Sequence, residues 1–137
     1  MSRVNAFLKK NALATNKEIE FVVSKRFVDE EGKPVPFILR TLKGSEILTL
    51  QESATKVQKN GLAQREMKNF VSSLCVACVV EPNLLSEELQ NDYGVLTPHD
   101  LLDEMLDGGE YMALFTKCSE INGLNETAES LEKEAKN

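Results

Sequence analysis

Glu18-Ile19-Glu20-Phe21-Val22-Val23-Ser24-Lys25-Arg26-Phe27, then Asp29-Glu30-Glu31-Gly32, then Lys33-Pro34-Val35-Pro36-Phe37-Ile38-Leu39-Arg40-Thr41-Leu42: this stretch spells one β-hairpin. In the first arm Ile19, Phe21 and Val23 alternate with Glu20, Val22 and Ser24. A period of two sends the first set to a core and the second to water. In the turn, Gly32 is free to take a positive φ. Pro34 and Pro36 have no amide hydrogen for a ladder, so that end of the return arm lies at an edge or outside the sheet. A lone hairpin is marginal in water and needs a cover. Everything after Lys43 reads as helix. The expected fold is therefore α+β: an N-terminal β-hairpin, a small antiparallel sheet, packed against a mainly α-helical remainder.

The helices are written in apolar spacing and end signals. Ser2 is placed to cap a short helix carrying Val4, Phe7 and Leu8. Gly44-Ser45 opens a helix with Ile47, Leu50, Ala54 and Val57 on one stripe, and Lys59-Asn60-Gly61 stops it. From Gln64 to Val80 runs the strongest pattern, Met67, Phe70, Val71, Leu74, Cys75, Cys78 and Val79. Its later half is apolar nearly all round, which predicts a buried, central helix ended by Pro82. Ser86 to Tyr93 forms a short helix closed by Gly94. Thr97-Pro98-His99-Asp100 is a helix start with cap, first-turn proline and acid in order. Beyond Gly108-Gly109 a further helix carries Tyr111, Leu114, Phe115, Cys118 and Ile121, with Gly123 just past its end. Residues 1–123 read as one domain, and 124–137 as a polar tail or marginal helix with Leu124 and Leu131 its only large apolar residues.

A chain of 137 residues suffices for one domain with a real core. No apolar run approaches the ~18 residues of a membrane span, and Met1-Ser2-Arg3-Val4-Asn5 lacks the apolar stretch of a secretory signal. Three cysteines, an odd number, argue against a disulfide framework and for a reducing compartment. Charge is uneven. Residues 1–43 hold nine Lys/Arg against five Asp/Glu, and residues 81–137 hold three against fourteen. So acidic a C-terminal half repels nucleic acid and membrane surfaces and suits a basic partner.

No catalytic, cofactor or metal constellation emerges. Cys75-Val76-Ala77-Cys78 fits C-x-x-C, but redox use requires the first thiol exposed at a helix N-terminus, and here both lie mid-helix on the apolar stripe. Zinc would need two further ligands. His99, Asp103 and Asp107 fall at i, i+4 and i+8, yet His99 is the only histidine. Glu104 and Glu110 bracket Gly108-Gly109, where Asp107 and Glu110 equally serve as acids at a helix start. Lys25, Arg26 and Arg40 interleave with Phe21, Phe27 and Phe37, a composition that binds single strands. The acidic remainder opposes that use, and phenylalanines at strand spacing build cores.

Several blocks, in order, carry a family likeness. They are Phe7-Leu8 with Asn11-Ala12, Ser24-Lys25-Arg26-Phe27, Asp29 through Phe37, and Val79-Val80-Glu81-Pro82-Asn83-Leu84. They continue with Glu88-Leu89-Gln90, Tyr93-Gly94-Val95, Met105-Leu106, Gly109-Glu110-Tyr111 and Glu120-Ile121-Asn122-Gly123. From about Val4 to Gly123 the chain resembles the XkdN-like tail assembly chaperones of tailed phages and prophage-like elements of Gram-positive bacteria. The resemblance implies a non-enzymatic helper in the host cytoplasm, absent from the mature virion. Its implied partner is the tape measure protein, with the tail tube protein as a further candidate. Tail assembly chaperones of several phages are made in two lengths by a −1 frameshift, and Ala135-Lys136-Asn137 permits one here if encoded GCA AAA AAC, while other codons give the same residues without slippage. The expected partner surface is the helical hairpin of Pro98–Asn122, through the exposed members of Leu102, Met105, Leu106, Tyr111 and Met112. These are more large apolar residues than two short helices need internally, and methionine suits adaptable contacts. Two other readings stay open from the residues: an acidic decoy that mimics nucleic acid, and a small metal-binding or enzymatic domain built on His99.

Overall fold

The structure, a computed structural model, describes residues 3–13, 18–56 and 63–124. The elements run α1 (Val4–Phe7), β1 (Glu18–Phe21), β2 (Phe37–Arg40), α2 (Gly44–Lys56) and α3 (Ala63–Cys78). They continue with β3 (Val79–Glu81), α4 (Glu87–Tyr93), α5 (Pro98–Met105) and α6 (Gly108–Ile121). The fold is α+β. Ser2, the stop at Lys59-Asn60-Gly61 and the tail from residue 125 onward lie outside the described residues.

The hairpin forms in two pieces. β1 pairs antiparallel with β2, Ile19 opposite Leu39 and Phe21 opposite Phe37. Further out, Val28 and Pro34 make an isolated bridge, and the Val35 N–H donates to Phe27 O at 2.7 Å. Asp29 Oδ1 accepts from the Glu31 and Lys33 amides at 2.8 and 2.9 Å, and Gly32 turns the chain at φ +82°. The alternation holds from Ile19 to Val23 and then breaks. Ser24, expected in water, is buried, because the chain has left the ladder and the Ser24 hydroxyl accepts from the Arg26 amide at 3.1 Å.

One expectation is corrected outright. The chain beyond Lys43 is not all helix: α3 ends at Cys78, and Val79–Glu81 becomes a third strand on the free edge of β2, giving the order β1-β2-β3. Leu39 pairs with Val79 and Ile38 with Glu81, with an irregularity between them. Val79 and Val80 are β-branched, and a ladder with β2 offers their backbone partners that a further helical turn before Pro82 could not keep.

The core lies between the sheet and the helices. Phe37 and Leu39 of β2 meet Leu74, Cys75 and Cys78 of α3, Leu101, Leu102 and Met105 of α5, and Leu114 and Cys118 of α6. The central place expected for the later half of α3 is observed. The end signals act as read. Ser86 Oγ accepts from the Leu89 amide at 3.3 Å, and Thr97 Oγ1 from the Asp100 amide at 3.1 Å. Gly94 closes α4 at φ +71°, where a side chain would be strained.

Two polar knots lock the layers. Arg40 donates to Ala77 O at 3.0 Å and to Glu46 Oε2 at 2.9 Å, joining β2 to the ends of α3 and α2. That bond, with the Lys43 amide, lowers the Glu46 pKa. Asn122, past the end of α6, accepts from the Leu42 amide at 2.7 Å and donates to Cys118 O at 2.8 Å.

A groove between α3, α5 and α6

The site begins at the short joint between α5 and α6. Leu106 ends α5, Asp107 precedes α6, and Gly108 opens it. Glu110 turns back so that its carboxylate accepts from the Asp107 amide at 2.9 Å. Arg26, from the hairpin, clamps this joint: it donates to Met105 O at 2.8 Å and to Glu110 Oε2 at 3.1 Å, and its guanidinium carbon lies 5.1 Å from the Phe27 ring centre. The Arg26 guanidinium, with Ser24 and the Asp107 amide, holds the Glu110 carboxyl down at about 2. A hairpin residue 84 positions away thus ties the hairpin to the joint between the two helices.

Beside that joint lies an open groove of about 620 Å³. Val71 and Ser72 of α3 form one wall, and Tyr111 and Met112 of α6 the other. Leu106 and Gly108 lie between them, with Lys68 and Asp103 at the rim. A Cβ placed on Gly108 would meet nothing within 4 Å, so the joint itself is open. Burial raises the Tyr111 pKa, against a hydrogen bond with Ser72, which ties the two walls together.

The five residues expected to face a partner divide here. Leu102, Met105 and Leu106 are buried, Tyr111 is half-buried, and Met112 is 55% exposed. The groove brings Leu106, Tyr111 and Met112 together, while Leu102 and Met105 lie in the core away from it. The α3 wall was absent from the sequence reading. Its signal is Val71, which lies within the α3 apolar stripe one turn before the fully buried Cys75, but only the position of α6 turns that stretch into a wall.

Other candidates take structural roles. Cys75, Cys78 and Cys118 are fully buried free thiols. A hydrogen bond with Cys118 and burial raise the Cys78 pKa, and a hydrogen bond with Cys75 and burial raise that of Cys118, so neither is a ready nucleophile. His99, Asp103 and Asp107 do not share a helix edge, because α5 stops at Met105 and Asp107 precedes α6. Among the described residues no group of three His, Cys, Asp or Glu is arranged to hold a metal ion. Arg26 and Arg40 are engaged with Glu110 and Glu46. Phe27 and Phe37 pack on each other at 6.0 Å, so the hairpin phenylalanines build core rather than a stacking platform. No described helix is long and apolar enough to cross a membrane.

These features define an α+β protein with an apolar groove flanked by acidic helices. Residues 4–136 match the family model described as phage XkdN-like tail assembly chaperone protein, and the chain belongs to that family. Protein YqbN of Bacillus subtilis strain 168 is 33% identical over 126 residues, 88% of this chain and 85% of the relative. The phage-like element PBSX protein XkdN of the same strain is 31% identical over 126 residues, with the same coverage. The fold is similar to the crystal structure of YqbN, with a TM-score of 0.76, 30% identity, and coverage of 90% of this chain and 98% of that one. Membership gives the protein a part in phage tail assembly.

Proposed function

We propose that the protein is a non-enzymatic chaperone that binds the phage tape measure protein through the α3/α5/α6 groove and holds it soluble until the tail tube forms around it. It acts in the host cytoplasm and leaves before the virion is complete. The groove is the observation that carries this reading. A tape measure is a very long, largely helical chain whose apolar seams associate non-specifically when uncovered. A slot open on one side, with apolar walls and an adaptable methionine, accepts side chains presented at helical spacing. The acids around it keep the complex charged and dispersed. Each large apolar side chain seated there contributes about 1.5–3 kcal/mol before the cost of association and ordering is subtracted.

Co-expression with the tape measure protein tests this. Met112→Asp leaves the core untouched and is expected to return the partner to the insoluble fraction. A folded Met112→Asp protein that solubilises the partner as well as wild type removes the groove from the mechanism. Met105 is a poor choice for this test, because it is buried and its truncation would act through stability.

A further inference from the structure

The N-terminal segment poses a packing question. No residue of α1 is buried. Phe7 is 82% exposed and Leu13 92%. The segment is nonetheless organised. The Asn11 and Ala12 amides both donate to Leu8 O at 2.9 Å, and Asn11 Nδ2 donates to Asn5 O at 2.6 Å. A four-residue helix has little stability of its own, and a shaped knob tipped by phenylalanine is costly to leave in water. Residues 3–13 carry Arg3, Lys9 and Lys10 and no acid.

The groove has the opposite character. Its apolar walls are Val71, Tyr111 and Met112, Asp103 stands at its rim, and Asp107 adjoins Gly108. Across residues 98–124 there are six acids; Glu110 is paired with Arg26 and Glu120 with Lys117, and Asp100, Asp103, Glu104 and Asp107 carry the remaining negative charge, with Asp103 lining the groove. Among the described residues, Lys68 is the one base lining the groove, and none of residues 3–13 lines the groove of its own chain.

We propose that the N-terminal segment of one copy, led by Phe7, docks into the α3/α5/α6 groove of a second copy, so that two chains exchange arms across a twofold axis. Each chain carries both a basic apolar knob and an acid-flanked apolar slot, and reciprocal exchange satisfies two of each and closes the assembly. The inference rests on the groove being a docking site, as argued above. It adds a regulatory consequence: the arm covers the slot while no partner is present, and a partner helix must displace it.

Sedimentation velocity on the full chain, from about 1 to 300 µM, tests this with wild type, Phe7→Asp, Leu13→Asp and Met112→Asp. All three residues are exposed in the single chain, so circular dichroism should show unchanged folding. Wild type is expected to dimerise, with an affinity that weakens as salt rises. Phe7→Asp and Met112→Asp should each weaken dimerisation about tenfold or more. Mixing the two, one with an intact groove and the other with an intact arm, should restore a mixed dimer tighter than either forms alone. A wild-type monomer throughout, including one whose arm docks within its own chain, overturns the proposal. So does a dimer indifferent to Phe7→Asp and Leu13→Asp. Co-expression separates the two readings. A monomeric wild type with loss of partner solubilisation in Met112→Asp removes arm exchange and keeps the groove. A Met112-dependent dimer with unimpaired solubilisation keeps arm exchange and removes the partner reading.

Discussion

The two ends of the α3 neighbourhood are built alike and finished differently. Toward β2 and β3, α3 closes against the sheet, and Leu39, Leu74, Cys75 and Cys78 reach zero exposure. Toward the α5–α6 joint the same helix presents Val71 to a slot it does not fill. The difference lies in what holds the partner element. On the closed side a strand ladder and the Arg40 bond to Ala77 O draw backbone against backbone. On the open side Arg26 reaches from the hairpin and bonds the α5–α6 joint from outside, while the α3 and α6 walls meet through the Tyr111–Ser72 bond beside an unfilled slot. Close packing serves stability, and the unfilled slot is the surface proposed above for recognition.

The comparison can be broken at four points. Leu74→Asp places an unpaired carboxylate on the closed side, at a cost of several kcal/mol, comparable with the ~5–15 kcal/mol that hold a domain together. The variant should be unfolded by circular dichroism or recovered only from inclusion bodies, and a soluble variant with a cooperative melt would contradict the placement of α3. Asn122→Ala strips the Leu42 amide of its acceptor and leaves Cys118 O with only the Asn122 backbone amide, and should cost about 1–3 kcal/mol in urea denaturation.

The open side responds to pH through Glu110. Its folded pKa is about 2, below the ordinary carboxylate value. The stabilisation is therefore fully present above the unfolded value, about 4.3, and is lost as pH falls through that value toward 2. Arg26→Gln should bring Glu110 back toward the ordinary range, read by carboxyl-carbon NMR titration, and should flatten acid unfolding. An unmoved Glu110 would show that Ser24 and the Asp107 amide hold it without Arg26. The smallest stability effect is expected at Met112→Ala, within about 0.5 kcal/mol. A larger loss would mean that the groove is part of the core.

Much of this was legible locally. The hairpin turn at Gly32, the caps Ser86 and Thr97 and the stops Gly94 and Gly123 were each placed from a few neighbouring residues, because a cap or turn is a short-range hydrogen-bonding problem. The acids at Asp107 and Glu110 were also read as a helix start. Their connection to Arg26 was not, since nothing near residue 26 announces a partner 84 positions on.

By itself the sequence determined the fold class, the hairpin, the order of the later helices, the core role of the C-x-x-C cysteines and, through blocks spread from Val4 to Gly123, the family. Tertiary structure decided three things. It made Val79–Glu81 a strand, because a ladder depends on a partner strand some forty residues away. It buried Leu102 and Met105 while leaving Met112 exposed, because apolar spacing marks a helix face and only the neighbouring elements determine how much of that face is covered. It also formed the groove, which belongs to no single segment and is lined jointly by residues of α3, α5, α6 and the joint that Arg26 clamps.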